Sequence, residues 1–312
     1  KNTKKIYLIR DRFGVKPLLY FKSENSFYFA SEARSLYFAK KYSLSLSNSS
    51  VYEYFRYGYV SNPSTIIDDI NQVRPGHYLE FDIDKSKQNE IKYWSIEKES
   101  ENYLGLTEKE KLKKLDSILN SSIQLRLRSD VNNLIFLSGG IDSGLIANYA
   151  SKIDSEIKSL TVKFQDKAFD ETDISVKTAK NLNLKHEIIE PNIEDYVRVI
   201  NDMPRIWDRP IADPSTIPTF LICKYAAQSS KVVLSADGGD ELFLGYNKHR
   251  IFELYKFFGN NFLYLFKFFP KHNFKNVFIF NIINKLNNLN SLQNNLDYFS
   301  YLREMSNETT LK

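Results

Sequence analysis

The chain has 312 residues, 42% of them hydrophobic and 26% charged, which supplies a sizeable core and excludes disorder, collagen and low-complexity readings for the chain as a whole. At roughly 100–200 residues per domain, one large or two medium domains are expected. The single cysteine excludes an internal disulfide framework and favours a reducing, cytoplasmic setting, while the net charge of +5 suits small anions. Nucleic acid is not an expected partner, because no basic stripe with interleaved aromatics stands out.

The first stretch is β-rich. Ile6–Ile9 and Leu18–Phe21 are short apolar runs around the turn RDRFGVKP, punctuated by Gly14 and Pro17, and Phe27–Ala30 is a third strand. Ser31 precedes a short helical pattern, EARSLYFAKK, and VYEYFRYGYV is a second helix. In VRPGHYLEF, Pro75 and Gly76 supply a turn before a strand. The sequence is polar around KSKQNE, and YWSIEKESENYLGLTE reads as a linker, which sets a domain boundary near residues 95–107.

The pattern then changes. Thr107 and Glu110 have capping-box spacing ahead of a long amphipathic helix, Glu108 to Arg128. Strands are expected at Asn133–Leu137, Lys158–Phe164, from His186, and in KVVLS, with helices between them. Strands alternating with helices imply a parallel, doubly wound α/β sheet. From about residue 250 the chain reads as helical and rich in Asn, Phe and Lys. Its most apolar stretch, Ile251 to Phe269, is broken by Glu253, Lys256, Gly259 and Lys267. A membrane span needs about 18 apolar residues in a row, so core-packing helices are the reading there.

Two strand-to-loop junctions carry the chemistry. In the first, a buried strand ends at Leu137, and Ser138-Gly139-Gly140-Ile141-Asp142-Ser143 leads into a helix. Paired glycines let backbone N–H groups approach a ligand, the helix N-terminus behind them adds orphan donors, and two serines add hydroxyls. The ensemble is an anion cradle. A bare phosphate would repel Asp142, so a bridging Mg²⁺ is implied. The competing reading is an ordinary tight turn with an aspartate cap. In the second junction, Ser235-Ala236-Asp237-Gly238-Gly239-Asp240-Glu241 follows a strand ending at Leu234. Carboxylates crowded so closely call for a cation, although a solvated acidic turn before a helix is the alternative. In an open α/β sheet both loops lie at the carboxyl edge, where ligands bind.

Here a resemblance becomes specific. SGGIDS resembles the pyrophosphate loop (PP-loop) of N-type ATP pyrophosphatases, and LSADGGDELFLGY resembles the second metal-binding loop of the glutamine-hydrolysing asparagine synthase family. Between them, WDRPIADPSTIPTF and FDETDISVKTAKNLNLKHEIIE resemble that family's proline-rich segment and second crossover. At the front, RDRFGVKPLLY, FYFASEARSL and VRPGHYLEF resemble the closing part of its class II glutaminase domain. The resemblance covers residues 1 to about 250. It implies the C-terminal part of an Ntn-type α/β/β/α glutaminase at 1–95, a linker at 96–107, and an α/β synthetase-type ATP pyrophosphatase domain at 108–312. By the same resemblance the chain is expected to be a piece of a longer enzyme, entering mid-glutaminase and ending before the synthetase domain does.

The implied activity is a two-step ligation. ATP adenylates a carboxylate, aspartate in the archetype, releasing pyrophosphate; ammonia from glutamine then displaces AMP. The resemblance assigns ATP and pyrophosphate to Leu137, Ser138, Gly139, Gly140, Asp142, Ser143, Val162, Ser235 and Ala236. It assigns Mg²⁺ to Asp142 and Asp240, and an acid–base or orienting role to Asp237, where the family often has glutamate. The shorter Asp237 and Ala236, in place of a more usual glycine, keep other acceptors open, such as a uronic acid of a surface polysaccharide or a lactam-forming substrate. An inactive nucleotide-binding relative is the alternative of a different class. The expected partners are ATP, glutamine and the carboxylate acceptor, with a homodimer as the expected assembly. Cys223 is expected in the core, His186 in a structural role, Asp170 and Glu171 as helix caps, and Arg10, Asp11 and Arg12 as braces of the glutaminase fold.

Overall fold

The computed structural model describes residues 4–246, apart from 24, 25, 41–43, 102, 168 and 169, together with residue 249. The helical expectation from residue 250 onward, including Ile251 to Phe269, lies outside the described residues. Strands β1 (Lys5–Ile9), β2 (Leu19–Lys22) and β3 (Phe27–Ala30) precede α1 (Ala33–Lys40) and α2 (Asn48–Tyr57). Then come β4 (Asn71–Gln72), β5 (His77–Asp82), β6 (Lys87–Lys92), α3 (Ile96–Glu101) and α4 (Glu108–Arg126). From β7 (Asn133–Phe136) strands and helices alternate through α5 (Ile141–Ile153), β8 (Lys158–Val162), α6 (Thr172–Asn181) and β9 (Lys185–Ile189). The helices α7 (Ile193–Ile206) and α8 (Thr216–Ala226) come next, followed by β10 (Val232–Leu234) and α9 (Gly239–Phe243).

Two of these elements lie within residues 85–107, where the sequence reads as polar and then as linker. KQNEIK forms β6, paired antiparallel with β5 from His77–Lys92 to Asp82–Lys87. It is an outer strand, and most of its residues are exposed, so it carries no apolar alternation. The six-residue α3 likewise buries nothing. The capping box ahead of α4 forms as expected: Glu110 accepts from the Thr107 N–H at 2.9 Å, and the Glu110 N–H donates back to Thr107 Oγ1 at 3.4 Å. Such a cap contributes about 1 kcal/mol to the helix.

The chain divides into two compact units. One comprises residues up to Leu125 together with Pro191–Lys224; the other comprises Arg126–Glu190 together with the chain from Tyr225. In the first unit, two three-stranded sheets run in the orders β1-β5-β6 and β3-β2-β4. Strand β2 explains how they stack. Tyr20 joins Leu8, Val73 and Leu79 in a cluster that links the two sheets, whereas its neighbours Leu19 and Phe21 join Ala33, Leu36 and Ile70 against α1. A strand buried on both faces reads as a continuous apolar run, here LYF. The layers are therefore helix, sheet, sheet. Phe27 stacks on Phe81 at 4.2 Å across the sheet interface, where part of the aromatic complement packs.

Arg10 is a brace, as expected. Only 6% exposed, its guanidinium donates to Asn62 Oδ1 and to the carbonyls of Lys16, Val73 and Gly14. Asp11 accepts from the N–H groups of Val15 and Lys16 and so closes the turn between β1 and β2. The segment from 191 to 224 is fastened to this unit by polar bonds. The Ala33 N–H at the start of α1 donates to the Asp208 carboxylate, and Tyr37 Oη donates to the Asp208 carbonyl at 3.1 Å.

The second unit holds an all-parallel sheet in the order β10-β7-β8-β9. The chain steps outward from β7 to β8 to β9, then returns to lay β10 on the other side of β7. That reversal opens a crevice beyond the carboxyl ends of β7 and β10, the place where open α/β sheets bind ligands. Small buried residues, Ala147 and Ala150 on α5 and Ser175 and Ala179 on α6, let the helices approach closely, and α6 packs on β8 and β9. No helix among the described residues is long and apolar enough to cross a membrane.

Cys223 corrects an expectation. It is exposed, because α8 buries its neighbours Leu221, Ile222 and Ala226 and turns the cysteine the other way.

Candidate active site at the carboxyl edge of the parallel sheet

The strand β7 is buried at Leu134 and Ile135, and its path continues into Leu137, whose N–H donates to the Leu160 carbonyl at 2.9 Å. The Leu137 carbonyl accepts from Thr161 Oγ1. This bond pins the last residue before the loop to the neighbouring strand, so the glycines beyond it start from a fixed point. The loop then closes on itself. The Ser138 N–H donates to Ser143 Oγ at 3.1 Å, the Gly140 N–H donates to Ser138 Oγ at 3.1 Å, and the two hydroxyls stand 2.9 Å apart. Ser143, in the first turn of α5, is 5% exposed. A hydroxyl both accepts and donates, so each serine takes up a loop amide, and Ser143 Oγ in turn can donate to the Gly140 carbonyl at 3.1 Å.

The third amide is treated differently. The Gly139 N–H donates to Glu171 Oε2 at 2.8 Å, across from the N-terminus of α6. A Cβ on Gly139 would stand 2.9 Å from Glu171 Cβ and 3.2 Å from Ile174 Cβ, so only glycine fits where the loop meets the start of α6. Glu171 was expected as a helix cap. It occupies the N-cap position but makes no side-chain cap bond; Asp170 does that work, accepting from the Thr172 N–H at 3.3 Å and from its hydroxyl. The Thr172 hydroxyl is also the main reason the Asp170 carboxyl lies below its ordinary range.

The second loop leaves β10 next door. Ser235 and Asp237 are exposed and Ala236 is half-buried. Ser235 Oγ donates to Asp237 Oδ2 at 2.8 Å, and the Gly239 N–H returns to the Ala236 carbonyl at 3.0 Å. The two loops meet at one point: a Cβ on Gly239 would lie 2.8 Å from Asp142 Cγ and 3.1 Å from Asp142 Cβ. Asp142 thus leans directly on the backbone beside Asp240. Asp240 turns its own side chain the other way, against Gly245, where a Cβ would lie 2.8 Å from its Cγ. Val162, half-buried, ends β8 on the far side of β7. The expected residues therefore lie at the carboxyl ends of three adjacent strands, which neighbour-strand spacing puts within about 10 Å of one another.

Among the described residues, no group of three or more His, Cys, Asp or Glu converges as a metal cage. The carboxylates of Asp142 and Asp240 are hard oxygen donors on touching loops. Oxygen donors of that kind suit Mg²⁺, and Asp142 stands at the meeting of the loops, while the Asp240 carboxyl lies against Gly245.

His186 is structural. Its Nδ1 lies 2.8 Å from Ser159 Oγ across the β8–β9 pair, and burial holds its pKa below the ordinary histidine value.

Comparison with known proteins now bears on this geometry. The family model described as asparagine synthase matches residues 114–298, more than half of the chain, and that described as glutamine amidotransferase domain matches residues 1–94. The chain belongs to the asparagine synthase family. Asparagine synthetase (glutamine-hydrolyzing) 1 of Bacillus subtilis is 33% identical over 255 residues, 80% of this chain and 39% of that protein. Putative asparagine synthetase (glutamine-hydrolyzing) 2 of Methanocaldococcus jannaschii is 30% identical over 249 residues, 78% of this chain and 47% of that one. The chain thus spans less than half of the length of these relatives. Among solved structures, an NH3-dependent NAD synthetase from Campylobacter jejuni aligns at 18% identity and TM-score 0.33, over 62% of this chain and 93% of its own. That likeness is too weak to add to the family assignment.

Sequence reasoning missed Glu171 and Thr161 as members of the loop's support. Thr161 is a polar residue in the middle of a buried strand, which is the one sign it gives; Glu171 hides behind the capping chemistry of its neighbours.

Proposed function

We propose that this chain carries the ATP-pyrophosphate half of an amidating ligase. The enzyme joins ammonia, drawn from glutamine, to a carboxylate through an acyl-adenylate, with aspartate giving asparagine as the leading reaction. The observation that carries this reading is the meeting of a Ser-Gly-Gly loop and an acidic loop at the sheet's reversal point, with Gly239 packed against Asp142. Membership of the asparagine synthase family supports it. We propose the domain bounds 1–95, 96–107 and 108–312 for the glutaminase part, the linker and the synthetase part.

The chemistry follows from the parts. A carboxylate oxygen of the acceptor attacks the α-phosphorus of ATP, and the bond to the β-phosphate oxygen breaks. The leaving pyrophosphate gains negative charge, and oriented donors around Ser138, Gly139, Gly140 and Ser143 stabilise it. Mg²⁺, held by Asp142 and Asp240, would neutralise phosphate charge when bound. Ammonia then attacks the acyl carbon, the C–O bond to AMP breaks, and the nitrogen sheds a proton. Asp237, exposed at the loop, is the base that takes it or the group that orients the amine. Leu137, Val162, Ser235 and Ala236 line the adenosine side, at the carboxyl ends of adjacent strands.

A second acceptor class has its own support. Asp237 is one C–C bond, about 1.5 Å, shorter than the glutamate common in the family. Its carboxylate is also tied back by Ser235, so it reaches less far into the crevice. A bulkier acceptor, such as a uronic acid or a lactam-forming substrate, would meet it without that reach. The test is pyrophosphate release with ATP, Mg²⁺ and ammonia across candidate carboxylates. Release with aspartate establishes the leading reading. Release with a sugar acid alone establishes the second, and Mg-ATP that does not bind at all sinks both.

A further inference from the structure

The three amides at the mouth of the first loop are not equivalent. Those of Ser138 and Gly140 donate to serine hydroxyls, which pass the hydrogen bond on. That of Gly139 donates to a carboxylate, which accepts only. The carboxylate ends the relay, removes one donor from the cradle and puts a negative charge where a polyanion is to land. It also comes from another element, at the N-cap of α6, through an exposed side chain. The contact that fixes the loop's place is made lower down, by Glu171 Cβ and Ile174 Cβ against Gly139. The oxygen can therefore swing away while the packing stays.

We infer that Glu171 is an internal anion: its carboxylate holds the Gly139 amide in the ligand-free chain and yields it when pyrophosphate or the phosphates of ATP arrive. This rests on the pyrophosphate reading of the loop. Glu171 is thus a positioning residue with two effects. It keeps the amide pointing outward into the crevice before the ligand comes, and it competes with the ligand for that amide, which weakens the hold on the pyrophosphate product. No group beyond the chain's own is needed; one hydrogen bond is exchanged for another.

The test is calorimetric titration of the protein with inorganic pyrophosphate in the presence of Mg²⁺, comparing the wild type with Glu171→Gln. The amide of glutamine has the same shape and can accept from Gly139, but it is neutral and a weaker occupant. The variant is expected to bind pyrophosphate about fivefold more tightly, the factor that separates a hydrogen bond to a charged group from one to a neutral group. Loss of a merely structural contact would not tighten binding. A thermal midpoint equal to wild type shows that the variant is folded. Equal or weaker pyrophosphate binding in Glu171→Gln, with measurable binding in the wild type, overturns the inference and leaves the pyrophosphate reading standing. Binding in neither protein overturns both.

Discussion

The loop after β7 and the loop after β10 leave the same edge of one sheet, and each carries adjacent glycines, yet they are held in opposite ways. Residues 138–143 are knitted by two serine hydroxyls, capped from the side by Glu171 and anchored by Thr161, so the amides of 138–140 and both hydroxyls have internal partners. Residues 235–241 are held by short-range ties: Ser235 Oγ to Asp237, Tyr246 Oη to Glu241 at 2.7 Å, and a backbone turn to Gly239. The difference separates two jobs. A cradle for a leaving anion must be shaped in advance, because reorganisation during the reaction costs rate. A loop that delivers carboxylates to a cation gains its partner only when the substrate arrives, so it can be more loosely tied.

The comparison can be broken most severely at the cation side. Asp240→Asn, or Asp142→Asn, should lower pyrophosphate release by about a hundred- to a thousandfold. The urea midpoint of Asp240→Asn should stay close to wild type, because its exposed carboxylate adds little to stability. Normal turnover in both variants would remove these residues from the metal assignment. Next is the contact between the loops. Gly239→Ala drives a methyl group into Asp142, and a shift of about 1 Å at that point should cost on the order of a hundredfold in rate, with the fold intact by circular dichroism.

Gly139→Ala sharpens the contrast from the other loop. Its methyl meets Glu171 Cβ and Ile174 Cβ, where the loop after β7 lies against the start of α6, so the cost falls on stability as well as on rate. Overpacking of this kind costs about 1–3 kcal/mol, readable as a shifted denaturation midpoint. If Gly139→Ala unfolded no more easily than wild type, the first loop would not be the preshaped one.

The smallest effect lies on β9, at the far edge of the sheet from β10. The folded His186 has a pKa below its unfolded value near 6.5, so the folded chain resists a proton that the unfolded chain accepts. Stability is unaffected above that value and falls as pH drops from about 6.5 towards the lower folded pKa. Denaturation midpoints between pH 5 and 8 should show this acid-side slope, and His186→Asn should flatten it.

What could be read ahead of the structure follows from what each residue reports. The strings SGGIDS and DGGDE announced themselves because glycine, serine and aspartate are poor company for a buried strand, so their placement directly after one marks a loop at the sheet's edge. The strand alternation from Asn133 onward gave the parallel sheet for the same reason. β6 was illegible because an outer strand with exposed side chains needs no apolar period. Cys223 was misjudged because a helix of mostly apolar residues does not reveal which face is turned to solvent. The contact of Glu171 with Gly139 spans 32 positions and depends on how closely the start of α6 approaches the loop, a packing distance that no local pattern encodes.

One bond in the first unit has a consequence for synthesis. The fully buried Ala33 gives its amide to Asp208, a residue made 175 positions later. At roughly 5–20 residues per second, a ribosome leaves that amide waiting for about ten to thirty-five seconds. The early sheets must pass that interval with the start of α1 open. A transcript cut anywhere between the codons for Ala33 and Asp208 yields a polypeptide in which the start of α1 never receives that acceptor.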